Sequence, residues 1–258
     1  MNYYNILFFT LLSTFLLVLL IYKSAFKNGK PHCDNFVTNV YLYLALSFSM
    51  VGCFIHFYNY ILNKPEDVVK FISTKETIQQ ISRYIIISFM IALISIIILS
   101  FQPIFSKKGF ILNHNIWILF LFSISLCLYP YFKAYEYSIQ LQKILIMVSF
   151  IFLFMSLLVF IIPEFLRKTY HIAITGFLIA LLTILITELF LLLTGQYTKD
   201  KYNIISYFVI LLFSLFITYD TSRLFEYAKI CVNSPNYPLV STNLFLDIIN
   251  IFVRMMNR

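Results

Sequence analysis

Two carboxylates stand in otherwise apolar sequence towards the C-terminal end of this 258-residue chain. Asp220 closes the run YFVILLFSLFITYD (207–220), and Asp247 lies within NLFLDIINIFV (243–253). An ionised carboxylate at the centre of a bilayer costs roughly 2.5–3.5 kcal/mol even on lenient insertion scales. Such a group faces a protein interior, a water-filled path or a cation. Two carboxylates brought together do not both ionise cheaply, so the pair would share a proton. Hydrogen-bonded, the pair closes a path. Deprotonated, it opens one, or takes a hard cation such as calcium, whose ligands are oxygens. Two carboxylates and a few amides make a weak or transient metal site. Calcium is therefore expected as a permeant or weakly bound ion, with no resident cofactor.

The surrounding polar residues extend this reading. Asn243, Asp247, Asn250 and Arg254 recur at helical spacing and share one face, which should turn to the bundle interior or a watery opening. Arg223, three residues after Asp220, is placed to pair with it across one helical turn. Glu188 lies well inside another apolar run, either as a third proton or ion contact or as a neutral hydrogen-bond donor. Lys107 and Lys108 are expected at the headgroups, snorkelling or serving as a counter-charge to Asp220. There is no H-E-x-x-H, nucleophile elbow or phosphate loop, so no enzymatic chemistry is expected.

The elements that must position these groups are membrane helices. The chain is 61% hydrophobic and 12% charged, about half the charge of an ordinary soluble domain. Apolar runs of spanning length recur at about 4–22, 37–62, 84–102, 114–132, 144–162, 172–194, 204–222 and 240–256. The first reads as an uncleaved helix or signal anchor, followed by a linker to residue 34; residues 35–258 form the main domain. The connector 63–83 has room for a short interfacial helix. Cys33, Cys53, Cys127 and Cys231 lack C-x-x-C spacing and read as small apolar fillers. Net charge is +8, but the basic residues are dispersed, so a nucleic-acid surface is not indicated. The connectors on the two sides carry nine and ten Lys or Arg, so positive charge does not choose an orientation.

LFITYDTSRL (215–224) and YPLVSTNLFLDIINIFVRMM (237–256) resemble the C-terminal signature of the Bax inhibitor-1 family. These are the transmembrane Bax-inhibitor-motif proteins, which include the Golgi anti-apoptotic proteins. NVYLYLALSFSMVG (39–52) resembles the family's first core helix, LFSISLCLYPYF (121–132) its third, and RKTYHIAITGFLIA (167–180) the lead into its fifth. The resemblance implies an all-α, seven-helix membrane bundle, with six helices wrapped around a central C-terminal one, here preceded by an extra N-terminal transmembrane helix. It also implies a pH-sensitive calcium leak governed by two aspartates, matched by Asp220 and Asp247, and a role in dampening cell death. The chain departs from the family pattern at a latching arginine, where Lys107 or Lys108 stands, and at a small glycine, where Ser125 stands.

Two other functions remain open at this point. One is a non-conducting membrane regulator acting through protein partners in cell-death control. The other is a proton-coupled transporter, motivated by Glu188 beside the acid pair. The resemblance places the protein in the endoplasmic reticulum or Golgi if eukaryotic or viral, and in the plasma membrane if bacterial.

Overall fold

A computed structural model describes residues 3–62, 75–106, 111–134, 138–161, 164–196 and 198–257. Eight long helices dominate: α1 (Tyr3–Ala25), α2 (Phe36–Leu62), α3 (Lys75–Ser100), α4 (Ile111–Ala134), α5 (Ile139–Ile161), α6 (Glu164–Leu193), α7 (Lys199–Ile230) and α8 (Tyr237–Met256). All eight are long and apolar enough to cross a membrane. Burial differs sharply among them. The span of α8 is 61% buried, the highest of the eight, whereas that of α1 is 6% buried. The sequence expectation of an extra helix before the family-like set agrees with α1.

The helices begin and end where local chemistry dictates. Asn236 caps α8 through its side-chain oxygen, which accepts from Leu239 N–H at 3.3 Å, and Pro238 follows in the first turn, where a missing N–H costs nothing. Ser138 caps α5 and Thr198 caps α7 in the same way. Gly195 ends α6 at φ +67°, with Gln196 N–H reaching Leu191 O and Gly195 N–H reaching Leu192 O. That is a Schellman closure, which needs the left-handed conformation glycine adopts freely. Several helices are longer than their apolar runs, among them α6, which starts at Glu164 and takes in residues read as connector. α3 starts at Lys75, taking in residues read as connector, and α7 continues two turns beyond Asp220 and Arg223 to Ile230. The rest of the connector expected to hold an interfacial helix, 63–74, lies outside the described residues.

The chain divides into two compact units, Met1–Glu136 with Ile230–Thr242, and Tyr137–Lys229 with Asn243–Arg258. In the first, α1 lies along α2 through a seam of small and hydroxyl-bearing residues. Thr14 Oγ1 and Ser13 Oγ lie 2.7 and 2.8 Å from Ser49 Oγ, and Gly52 faces Thr10. Such seams hold helices together in lipid, where apolar contact alone gives little preference. Ser49→Ala is expected to lower stability by about 1 kcal/mol, read by thermal unfolding in detergent. An aromatic core fills the same unit, with Tyr43 stacked on Tyr237 at 5.4 Å and packed on Trp117 at 5.6 Å.

The connectors of this unit are ordered by short strands. β1 (Phe26–Lys27) and β2 (Lys30–Pro31) form a hairpin around Asn28 and Gly29, at φ +52° and +74°. An Asn-Gly pair takes these angles readily. β3 (Phe105–Ser106) pairs antiparallel with β4 (Ser234–Pro235). Cys33 and Cys231 are joined by a disulfide across a sequence separation of 198. This corrects the reading of those two cysteines as apolar fillers. Cys53 and Cys127, on α2 and α4, are free thiols.

Candidate functional site

The second unit carries the polar groups singled out in sequence. Asp247 lies on α8, ten residues on from Tyr237. Asp220 lies on α7, ten residues back from Ile230. At 1.5 Å per residue, each carboxyl sits about 15 Å along its helix from the connector joining the two. Asp247 is 7% exposed, and its Oδ2 has no hydrogen-bond partner. Asp220 is half-buried. Both acids belong to the same compact unit.

Arg223 does not make the expected ion pair with Asp220. Its guanidinium donates to Tyr219 Oη at 2.7 Å and lies over the rings of Tyr219 and Tyr227, at 5.6 and 5.1 Å. The two tyrosines flank Arg223 at four residues on either side, so they share its helix face and hold it by cation–π contact. Arg223 still acts on Asp220 through space.

The stripe on α8 is mixed. Asn243 is exposed, and Asn250 donates from Nδ2 to Leu246 O of its own helix at 2.8 Å rather than to either acid. Arg254 is the member with a defined long-range partner. Its two terminal nitrogens meet the two oxygens of Glu188 at 2.6 and 2.7 Å, a bidentate fork between α8 and α6. The side chains are 17% and 12% exposed, and Tyr202 of α7 lies 6.0 Å from the guanidinium. Glu188 is thus an acceptor from arginine, which differs from both roles expected for it. No residue of the Thr175–Leu193 span of α6 is fully buried, and this pair is a polar tie between that span and α8. Lys107 and Lys108, the candidate latch, lie outside the described residues.

Thr218 and Thr221, which flank Asp220 in sequence, have tertiary partners that spacing does not show. Thr218 donates to Met155 O at 3.1 Å and Thr221 to Ser156 Oγ at 3.4 Å, tying α7 to α5. Within the described part of this unit, the buried polar atoms without a partner all sit on α7 and α8: Asn203 Oδ1, Ser206 Oγ, Arg223 Nε and Asp247 Oδ2. From Asn203 to Arg223 they extend about 30 Å along α7, the thickness of a bilayer's hydrocarbon core. Ser214, Thr218 and Thr221, all buried, occupy the interval. Two of these positions carried a readable signal, since Thr218 and Thr221 fall at i and i+3 beside Asp220. No group of three or more His, Cys, Asp or Glu gathers among the described residues.

Eight apolar helices, each long enough to span a bilayer, define a multi-pass integral membrane protein. A family model described as "Inhibitor of apoptosis-promoting Bax1" matches residues 33–257. The chain belongs to this family. A search of curated proteins returned no match.

Proposed function

We propose that the protein is a pH-sensitive calcium leak of an internal or plasma membrane, gated by Asp220 and Asp247. The observation that carries this reading is Asp247 Oδ2, buried without a partner on the most buried helix, in the same compact unit as a second acid, Asp220. A buried carboxylate left so is costly unless a proton, a cation or water completes it. At low pH the pair shares a proton and α7 and α8 stay together. As pH rises the proton leaves, the two charges repel, and the path along the polar face of α7 opens. Two carboxylates supply far fewer than the roughly six to eight oxygens of a calcium cage, which suits an ion in transit. The protein acts without enzymatic chemistry. By lowering stored calcium it dampens cell death, the role resembling that of the Golgi anti-apoptotic relatives.

The transporter reading is weakened, because the acid that motivated it, Glu188, is engaged by Arg254. The regulator reading draws on the same contact, since a forked ion pair on the stripe of α8 braces that helix against α6. Calcium flux into liposomes carrying the purified full chain separates the readings. A leak gives flux that rises with pH over about pH 5–8, the range in which a shared buried proton is lost. A regulator gives no flux above empty liposomes at any pH.

A further inference from the structure

Three connectors of the first unit come together at one end of its helices: residues 26–35, 101–106 and 231–236. β3 pairs with β4 through Phe105↔Pro235 and Ser106↔Ser234. Asn236 N–H donates to Ile104 O at 2.8 Å, and its Nδ2 to Pro103 O at 3.4 Å. Tyr237 Oη donates to His32 O, and Asn39 Nδ2 to Tyr237 Oη at 3.2 Å. The disulfide between Cys33 and Cys231 lies within this assembly.

The count of spans gives an independent check. Among the described residues, two helices, α2 and α3, separate the first connector from the second, and four, α4 to α7, separate the second from the third. Even numbers of crossings return the chain to the same side of a membrane. The pairing of strands and the parity of the helices therefore place these connectors on one face without reference to the cysteines.

A disulfide persists in an oxidising compartment and is kept reduced in the cytosol. From it we infer the orientation that the Lys and Arg distribution leaves undecided. The face bearing Cys33 and Cys231 looks into a lumen or the exterior. The opposite face, with the connectors around residues 138 and 194–198, the N-terminal end of α1 and the C-terminal end of α8, looks into the cytosol. Both cysteines are partly exposed, which allows an enzyme to reach them. The bond forms by thiol–disulfide exchange with a disulfide-bearing oxidoreductase of that compartment. One cysteine thiolate attacks the carrier disulfide, and the second displaces the carrier from the mixed disulfide. The pair gives up two electrons and two protons, and the carrier leaves as a dithiol. Cys53 and Cys127 lie within apolar spans and stay as thiols.

Two measurements on the full chain test this. The chain is expressed in a eukaryotic cell and recovered in sealed microsomes with their cytosolic face outward. After acid quenching and denaturation, a polyethylene glycol maleimide is expected to add to two cysteines without reductant and to four after reduction. Separately, Cys33→Ser frees the Cys231 thiol, and Lys199→Cys places a thiol at the opposite connector. A membrane-impermeant maleimide is expected to label Lys199→Cys in sealed vesicles, and Cys231 of the Cys33→Ser variant only after permeabilisation. Four adducts without reductant would overturn the disulfide. Labelling of Cys231 in sealed vesicles would overturn the orientation. The thiol count uses the parent chain, so it stands even where a variant misfolds.

Discussion

Arg254→Ala is expected to lower the stability of the protein by about 3–5 kcal/mol, the cost of stranding one partner of a buried ion pair. The substitution removes both halves of the fork and takes its cation away from the Glu188 carboxylate, which is 12% exposed. It also removes a bidentate tie between α6 and α8, and no residue of the Thr175–Leu193 span of α6 is fully buried. Arg254→Lys keeps the charge but loses the planar fork, so a smaller loss of about 1–2 kcal/mol is expected. Replacing both members, Glu188→Leu with Arg254→Met, should recover most of the loss, because apolar side chains of similar volume often match a buried pair. The four proteins form a double-mutant cycle, read by denaturant or thermal unfolding in detergent. A loss below about 0.5 kcal/mol for Arg254→Ala, the range of ordinary surface changes, would mean that the pair does not hold α6 to α8.

Asp247→Asn is expected to remove most of the pH dependence of calcium flux while leaving the fold intact. A gate that opens on loss of one proton changes its open fraction by about tenfold per pH unit on the acid side of its titration. Asparagine keeps the shape and donates where a protonated carboxyl would, but it does not ionise, so the variant should stay near the low-pH flux of the parent throughout. Stability should change little, because the group removed is an oxygen without a hydrogen-bond partner. An unaltered pH profile in a folded Asp247→Asn protein would rule out Asp247 as the sensor.

The membrane helices were legible because length and apolarity alone define them. Their ends were less so. Lys75–Arg83 carries enough charge to look like connector, although it continues α3, and YDTSR looks like an exit although α7 runs on to Ile230. The Asn-Gly pair at 28–29 is a hairpin signal within what otherwise reads as a linker. Asp220 and Asp247 stand out in sequence because burying a charge is costly. Their neighbours were less legible, because pairing depends on tertiary approach. Arg254 and Glu188 were both singled out, yet nothing in a spacing of 66 residues says that they meet. Arg223 was assigned to Asp220 by helical spacing. Tyr219 and Tyr227, equally well spaced, hold it instead. Cys33 and Cys231 are 198 residues apart, and only the packing of their connectors brings them together.

The central claim is that Asp220 and Asp247 together govern a calcium path. The most direct measurement is calcium flux into liposomes across about pH 5–8, comparing the parent with Asp220→Asn/Asp247→Asn, both verified as folded. The account predicts flux that rises with pH in the parent and is low and flat in the double variant. Equal flux with an equal pH response in the two proteins would contradict it.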